Sequence, residues 1–419
     1  MVKILAIPLA SELHGVKYYE SILEVFKEHF KQFDIEVLSV VKNINESKNV
    51  AKRIGESPPL LIFLTGGTSK LARIILSESE FRAGIALAHG QHNSLASALS
   101  ARSKLDLEGI PLVIFTCTEP LTCGSSIERC IRVGKAAMKV KKMRIGIIGP
   151  KELPEEARYL KEIFDSEAIL IPHSDVLSEA EKIDKESINK AKDILRSKLS
   201  LEEINVVIID KILSLYLAMR RIVDDMGLDA LAIDCFPFLI EHRYTPCIAL
   251  AMLNNEGIIA ACEADLRSLV LMVISKELTG YSGWIANPSM VKDRELVIAH
   301  CTIAPSMIKR GILTTHFESN YPYSISGELK ENTYTLTSIS YDFTEMAATK
   351  VRIARSGMIS PHMCRTQAVL ELDFSAEKLI DIAVSNHHVL IPGDVREELR
   401  YIAELLGIGY IDYGKLALE

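Results

Sequence analysis

Short unbroken apolar runs alternate with amphipathic helical stretches through more than half of this chain, and that alternation constrains its fold more than any other feature. The runs Lys3–Leu9, Ile35–Val40, Leu60–Thr65, Gly84–Ala88 and Pro111–Thr116 lack the polar–apolar alternation of a half-exposed strand. Helical spacing fills the gaps at Tyr18–Phe30, Lys70–Leu76 and Asn93–Leu105. Strands that are apolar on both faces need cover on both faces, which predicts a parallel, doubly wound sheet. Ligands of such a sheet lie beyond the carboxyl ends of its strands.

The pattern restarts near residue 143. Arg144–Pro150, Ala168–Ile171 and Asp229–Cys235 read as strands, and Pro154–Phe164 reads as a helix. A long charged helix is predicted over Ser178–Lys198, and a further helix is clearest at Ala218–Met226. From about residue 296 the texture changes. Leu296–Ile303, Thr333–Tyr341, Lys350–Arg355 and Gln367–Phe374 are β-rich with no long helix between them, which predicts an antiparallel sheet or small barrel. The expected class is therefore α/β. A Rossmann-like doubly wound domain covers 1–142 and a second covers 143–295, carrying Glu263 and Asn287. A β-rich C-terminal domain over 296–419 ends in a helix closed by Gly407.

Composition narrows the function. With 48 Lys+Arg against 55 Asp+Glu, there is no excess positive field to hold a nucleic-acid backbone. Charges interrupt the longest apolar run, Asn205 to Val223, so it falls short of the ~18–20 apolar residues that a membrane helix needs. Only Lys3 precedes the run Ile4 to Ala10, which reads as a first strand and not as a leader. The expectation is a soluble, cytoplasmic protein without nucleic-acid or membrane partners. The 8 cysteines form no CxxC pair, and Cys235 and Cys262 read as reduced core thiols.

Several polar motifs stand at predicted strand ends. Gly66-Gly67-Thr68 follows a strand and opens a helix. Its N–H groups can receive an anion or a sugar hydroxyl, or it is simply a tight turn. His89-Gly90-Gln91-His92-Asn93-Ser94 suits polyol recognition or a turn capped by Asn93 or Ser94. Glu263 and Asp265 end an apolar strand in Gly257–Asp265, where α/β sheets put their active sites. The competing reading is a helix cap at Asp265 with Glu263 at the surface. Asn287, His300, His316 and the pair His387-His388 follow at separate loop ends. Together with Glu263 they form the oxygen/nitrogen palette of a Mn²⁺-type site.

The order of these motifs resembles the L-fucose/L-arabinose isomerase superfamily. The likeness runs along the whole chain, and its specific part is Cys262-Glu263-Ala264-Asp265, Leu278-Thr279-Gly280, Trp284 to Pro288 and His387-His388. The resemblance implies two Rossmann-like domains, a β-rich third domain and assembly into trimers or hexamers. It also implies aldose–ketose isomerisation of a monosaccharide through an enediolate stabilised by a divalent metal, Mn²⁺ first. Glu263 is then metal ligand and acid/base, Asp265 its catalytic support, and Asn287 and His388 or His387 are co-ligands. Gly67, Thr68, His89, Gln91, Asn93, His300 and His316 are the expected sugar contacts. Asn287 stands where the fucose branch carries a second acidic residue, and an amide cannot shuttle protons. That departure leaves open a non-catalytic carbohydrate-binding or regulatory homologue.

Overall fold

The computed structural model describes residues 4–55, 58–149, 151–200 and 204–418, so Lys3 and Pro150 of the expected strands lie outside the described residues. The chain divides into two compact units, one of residues 1–138 with 400–408 and one of residues 139–399 with 409–419.

The first unit holds a five-stranded parallel sheet of β1 (Ile4–Leu9), β2 (Ile35–Val37), β3 (Leu60–Phe63), β4 (Gly84–His89) and β5 (Leu112–Cys117) in the order β2-β1-β3-β4-β5. Three of its helices, Val16–Phe30, Ser69–Glu78 and Ser94–Asp106, follow the predicted ones closely, and Ile44–Ala51 and Gly124–Val140 were not read from the sequence. The cap expected on the third helix differs. Asn93 takes the N-cap position in left-handed conformation without capping, and the Ser94 hydroxyl is turned to the strand instead, hydrogen-bonded to the Phe63 carbonyl and the His89 N–H. A disulfide joins Cys117 to Cys123 in this unit, a pairing not foreseen from the sequence. Cys235 and Cys262 are free and buried, as expected.

The second unit begins with a four-stranded parallel sheet: β6 (Arg144–Ile148), β7 (Glu167–Ile171), β8 (Ala230–Ile233) and β9 (Ile259–Ala261), ordered β7-β6-β8-β9. The single helix expected over Ser178–Lys198 is two, His173–Ala180 and Lys185–Lys198. Asp184 breaks it by capping the second helix, accepting the Ser187 N–H at 2.8 Å. The helix glimpsed at Ala218–Met226 runs from Val206 to Met226, between an Asn205 N-cap and a left-handed Gly227. No helix among the described residues is long and apolar enough to cross a membrane.

The remaining strands are β10 (Trp284–Lys292), β11 (Glu295–His300), β12 (Ile308–Thr315), β13 (Pro322–Leu329), β14 (Thr333–Ile339), β15 (Glu345–Gly357), β16 (Thr366–Glu371), β17 (His388–Pro392) and β18 (Gly409–Asp412). The order β14-β17-β10-β11-β16-β15 closes through β14–β15 pairing into a six-stranded antiparallel barrel. β18 adds in parallel to β15, and β12 and β13 form a separate hairpin. Residues that alternate into the barrel core include Ala286, Ile298, Leu336, Ala368 and Leu390, each no more than 1% exposed. Trp284 is buried with them, and its indole N–H donates to the Thr302 carbonyl at 2.9 Å.

β9 is only three residues long, yet it carries the acidic segment 263–265 at its tip. Buried Asn254 clamps it: the amide donates to the Ala260 carbonyl at 2.8 Å and accepts the Ala260 N–H at 3.0 Å. Asn254→Ala leaves both backbone groups unpaired, at a cost of about 2–4 kcal/mol. Chemical denaturation should show the midpoint falling accordingly, and an unchanged midpoint would contradict this role for the clamp.

Candidate metal centre

The backbone after β9 turns sharply. Glu263 (φ +57°) and Ala264 (φ +51°) are consecutive non-glycine residues in left-handed conformation, at an expected cost of about 1–3 kcal/mol each. The surroundings hold them there. The Ala264 N–H donates to the Ile233 carbonyl of the neighbouring strand at 2.9 Å, and the Asp265 N–H to the Cys262 carbonyl at 3.1 Å. Asp265 then caps the helix Leu266–Thr279, its Oδ1 accepting the N–H groups of Arg267 and Ser268 at 2.9 and 3.0 Å. The turn carries the partly exposed Glu263 carboxylate.

Two histidines from the barrel meet it. His300 ends β11 and His387 immediately precedes β17. His300 Nε2 stands 3.4 Å from Glu263 Oε1, and His387 Nε2 stands 3.6 Å from Glu263 Oε2. One ligand atom from each of the three residues lies within 4.8 Å of the others, and among the described residues no other group of three such side chains meets this condition. Both histidines are buried. His387 Nδ1 is 2.6 Å from Asp265 Oδ2, which assigns its proton to that side and leaves the Nε2 lone pair facing Glu263. Neither His387 Nε2 nor either ring nitrogen of His300 has a hydrogen-bond partner.

Burial pushes the Glu263 carboxyl up, but the nearby His300, and then the charge of His387, outweigh it and hold Glu263 below its ordinary value. Asp265 is buried more deeply, yet His387, Arg267 and Ser268 lower it to about 2. Burial depresses His387, and Asp265 and then Glu263 raise it above its ordinary value. A carboxylate and two imidazoles with unpartnered buried nitrogens make a donor set suited to a divalent transition metal. Asp265 supplies the carboxylate–histidine support usual behind such a ligand. The Glu263/His300/His387 group can therefore hold a metal ion.

Other expected residues fall differently. Asp265 is no free acid, since it both caps a helix and orients His387. His388 lies outside the three-residue group: its ring is fully buried, 6.1 Å from that of Tyr413, with Nδ1 at the Asn386 carbonyl, and burial lowers it to about 4. Asn287 is half-buried on β10, the strand between β11, which ends in His300, and β17, which His387 precedes, in register with Ala299. His300, expected to contact sugar, stands with Glu263 and His387 in the three-residue group. The visible signal was a histidine at the end of an apolar strand, the same signal that pointed to Glu263. His316 is buried beside Cys301 and Ser319, its ring 6.3 Å from Phe236.

In the first unit, the Gly66 N–H donates to the His92 carbonyl at 2.7 Å, tying the two predicted turns together. A side chain at Gly66 would meet Asn93 Cβ at 2.7 Å. His89 has both ring nitrogens engaged, at the Leu64 carbonyl and the Gln91 N–H. Thr68 is buried and bonded to Thr65 and Ser97. Gly67, Gln91 and Asn93 are exposed.

No protein-family model matches the sequence. The chain is distantly similar to sulfoquinovose isomerases. The protein of that name from Clostridium sp. (strain MSTE9) is 26% identical over 221 residues, 47% of each chain. The one from Alkalicoccus urumqiensis is 20% identical over 303 residues, 67% of each chain. The one from Priestia megaterium (strain ATCC 12872 / QMB1551) is 21% identical over 264 residues, 59% of this chain and 55% of the relative. The chain thus spans about half to two thirds of the length of these curated relatives.

Asp265→Asn should weaken divalent-metal affinity by about 10–100-fold, read by calorimetry, because the support behind His387 is lost. Acid stability should change with it. A carboxyl lowered from 3.8 to about 2 on folding contributes fully above 3.8, and that contribution disappears as the pH falls towards 2. Acid denaturation should therefore be flatter across this window in Asp265→Asn than in the wild type, and identical profiles would contradict the assignment.

Proposed function

We propose that this chain is a divalent-metal-dependent aldose–ketose isomerase acting on a monosaccharide, with Glu263, His300 and His387 as the metal ligands and Mn²⁺ as the ion. The observation that carries this reading is the convergence of one carboxylate and two buried imidazoles, whose Nε2 atoms have no other partner, at the carboxyl end of a parallel strand. The distant similarity to sugar isomerases supports it. When bound, the ion supplies Lewis-acid stabilisation of the charge that develops on neighbouring sugar oxygens.

The chain's own residues do the rest. Asp265 fixes the His387 tautomer. Arg267 anchors the residues before it, donating from Nη1 to Ser385 Oγ at 3.0 Å and from Nη2 to Asn386 Oδ1 at 3.3 Å. Glu263 is the carboxylate placed to exchange protons with the substrate. Asn287, an amide, moves no proton. That last feature favours a second reading, a carbohydrate-binding homologue that retains the metal and has lost turnover.

The test supplies Mn²⁺ and follows aldose–ketose interconversion with sulfoquinovose, 6-deoxyhexoses and pentoses. The proposal expects turnover of one of them and a loss of at least about 10²-fold in Glu263→Gln. Equal rates in wild type and variant contradict it. Sugar and metal binding without turnover would establish the second reading.

A further inference from the structure

Isomerisation requires two proton movements, and the site as described has one carboxyl free to make them. Asp265 is spent on Arg267, Ser268 and His387. Asn287 is an amide. We propose that Asp234 is the second acid/base carboxyl of this site, an assignment that rests on the isomerase reading.

Asp234 follows β8, the strand beside β9, so it ends one strand away from Glu263. The two strand tips are locked together on both sides of it. The Ile233 carbonyl accepts the Ala264 N–H at 2.9 Å, and Cys235 Sγ lies 3.3 Å from Cys262 Sγ. In the order β7-β6-β8-β9 the chain reverses its direction of growth between β6 and β8, so Asp234 borders the crevice where open α/β sheets bind ligands.

Its side chain is uncommitted. Asp234 occupies the N-cap position of the helix Cys235–His242, where an aspartate ordinarily accepts from the first turn, but it makes no cap hydrogen bond and no other among the described residues. The carboxyl is half-buried. Burial raises it, the charge of His173 opposes this, and the charge of Glu263 adds to it, so the two carboxyls sense each other. His173 is held at the Asp234 backbone carbonyl, and its Nε2 is buried without a partner. The ring has room because residue 149 is glycine: a Cβ there would lie 2.2 Å from His173 Nε2.

Glu263 faces the two imidazoles of the candidate metal group, and Asp234 has no hydrogen bond to either, which divides the labour. Asp234 takes the proton from C2 as the C2–H pair becomes C1=C2 and the charge passes to O1. Glu263 carries the O2 proton across to O1, leaving the charge on O2. Asp234 returns its proton to C1 as C2=O forms. Substrate and product are isomers, both carboxyls end as they began, and no oxidant or reductant is consumed.

The test uses the full chain loaded with Mn²⁺, in D₂O, with sulfoquinovose and the other sugars of the panel. Mn²⁺ affinity is read separately by electron paramagnetic resonance. Asp234→Asn should lose about 10²–10⁴-fold in kcat, together with deuterium incorporation at C1. Its KM and Mn²⁺ affinity should stay within about threefold of wild type, and Asp234→Glu should recover part of the rate. An Asp234→Asn variant that turns over normally while Glu263→Gln does not overturns this assignment and leaves the isomerase reading intact. A variant that loses Mn²⁺ as Glu263→Gln does also overturns it. Absence of turnover in the wild type on every sugar overturns both.

Discussion

One carboxylate joins the parts of the second unit that make its candidate site. Asp265 caps the helix that leaves the β9 tip and also holds His387, 122 residues later in the chain, through the 2.6 Å contact at Nδ1. If either half were missing, the imidazole could turn and the three-residue group would disperse. The depressed Asp265 carboxyl and the raised His387 imidazole are two sides of this one bond. The unusual turn at 263–264 follows from the same requirement. The chain must leave β9, present Glu263, and still enter a helix with residue 265 at its cap, and two left-handed residues accomplish this in the space available.

The architecture then divides the work. The parallel sheet presents acids at its carboxyl edge, where strand ends and helix starts leave side chains free of the ladder. The barrel contributes histidines from the ends of β11 and β17, with β10 between them carrying Asn287. Acids and imidazoles thus come from different sheets of one unit, which satisfies a cation's need for ligands from several directions.

Much of this was legible in the residues. Unbroken apolar runs identified the parallel strands because a sheet covered on both faces leaves no polar alternation. The shift in texture near residue 296 pointed to the antiparallel sheet, although that sheet already starts with β10 at Trp284, and β10, β12, β13, β17 and β18 were not read as strands. Glu263 and Asp265 announced themselves at a strand end. What the sequence could not show is which histidine reaches them, since His300, His316, His387 and His388 are alike as letters and differ only in where the barrel register places them. Asp234 was missed for a related reason. An aspartate opening a helix reads as a cap, and only coordinates reveal that it caps nothing. The long helix expected over Ser178–Lys198 failed on the same kind of local detail, in reverse, because there Asp184 does cap.

The central claim is that Glu263, His300 and His387 share one divalent ion. The most direct measurement is electron spin echo envelope modulation of Mn²⁺ bound to the protein labelled with ¹⁵N-histidine. The account predicts coupling to two imidazole nitrogens, reduced to one in His300→Ala and in His387→Ala. Bound Mn²⁺ without histidine coupling, or coupling unchanged by both substitutions, would contradict it.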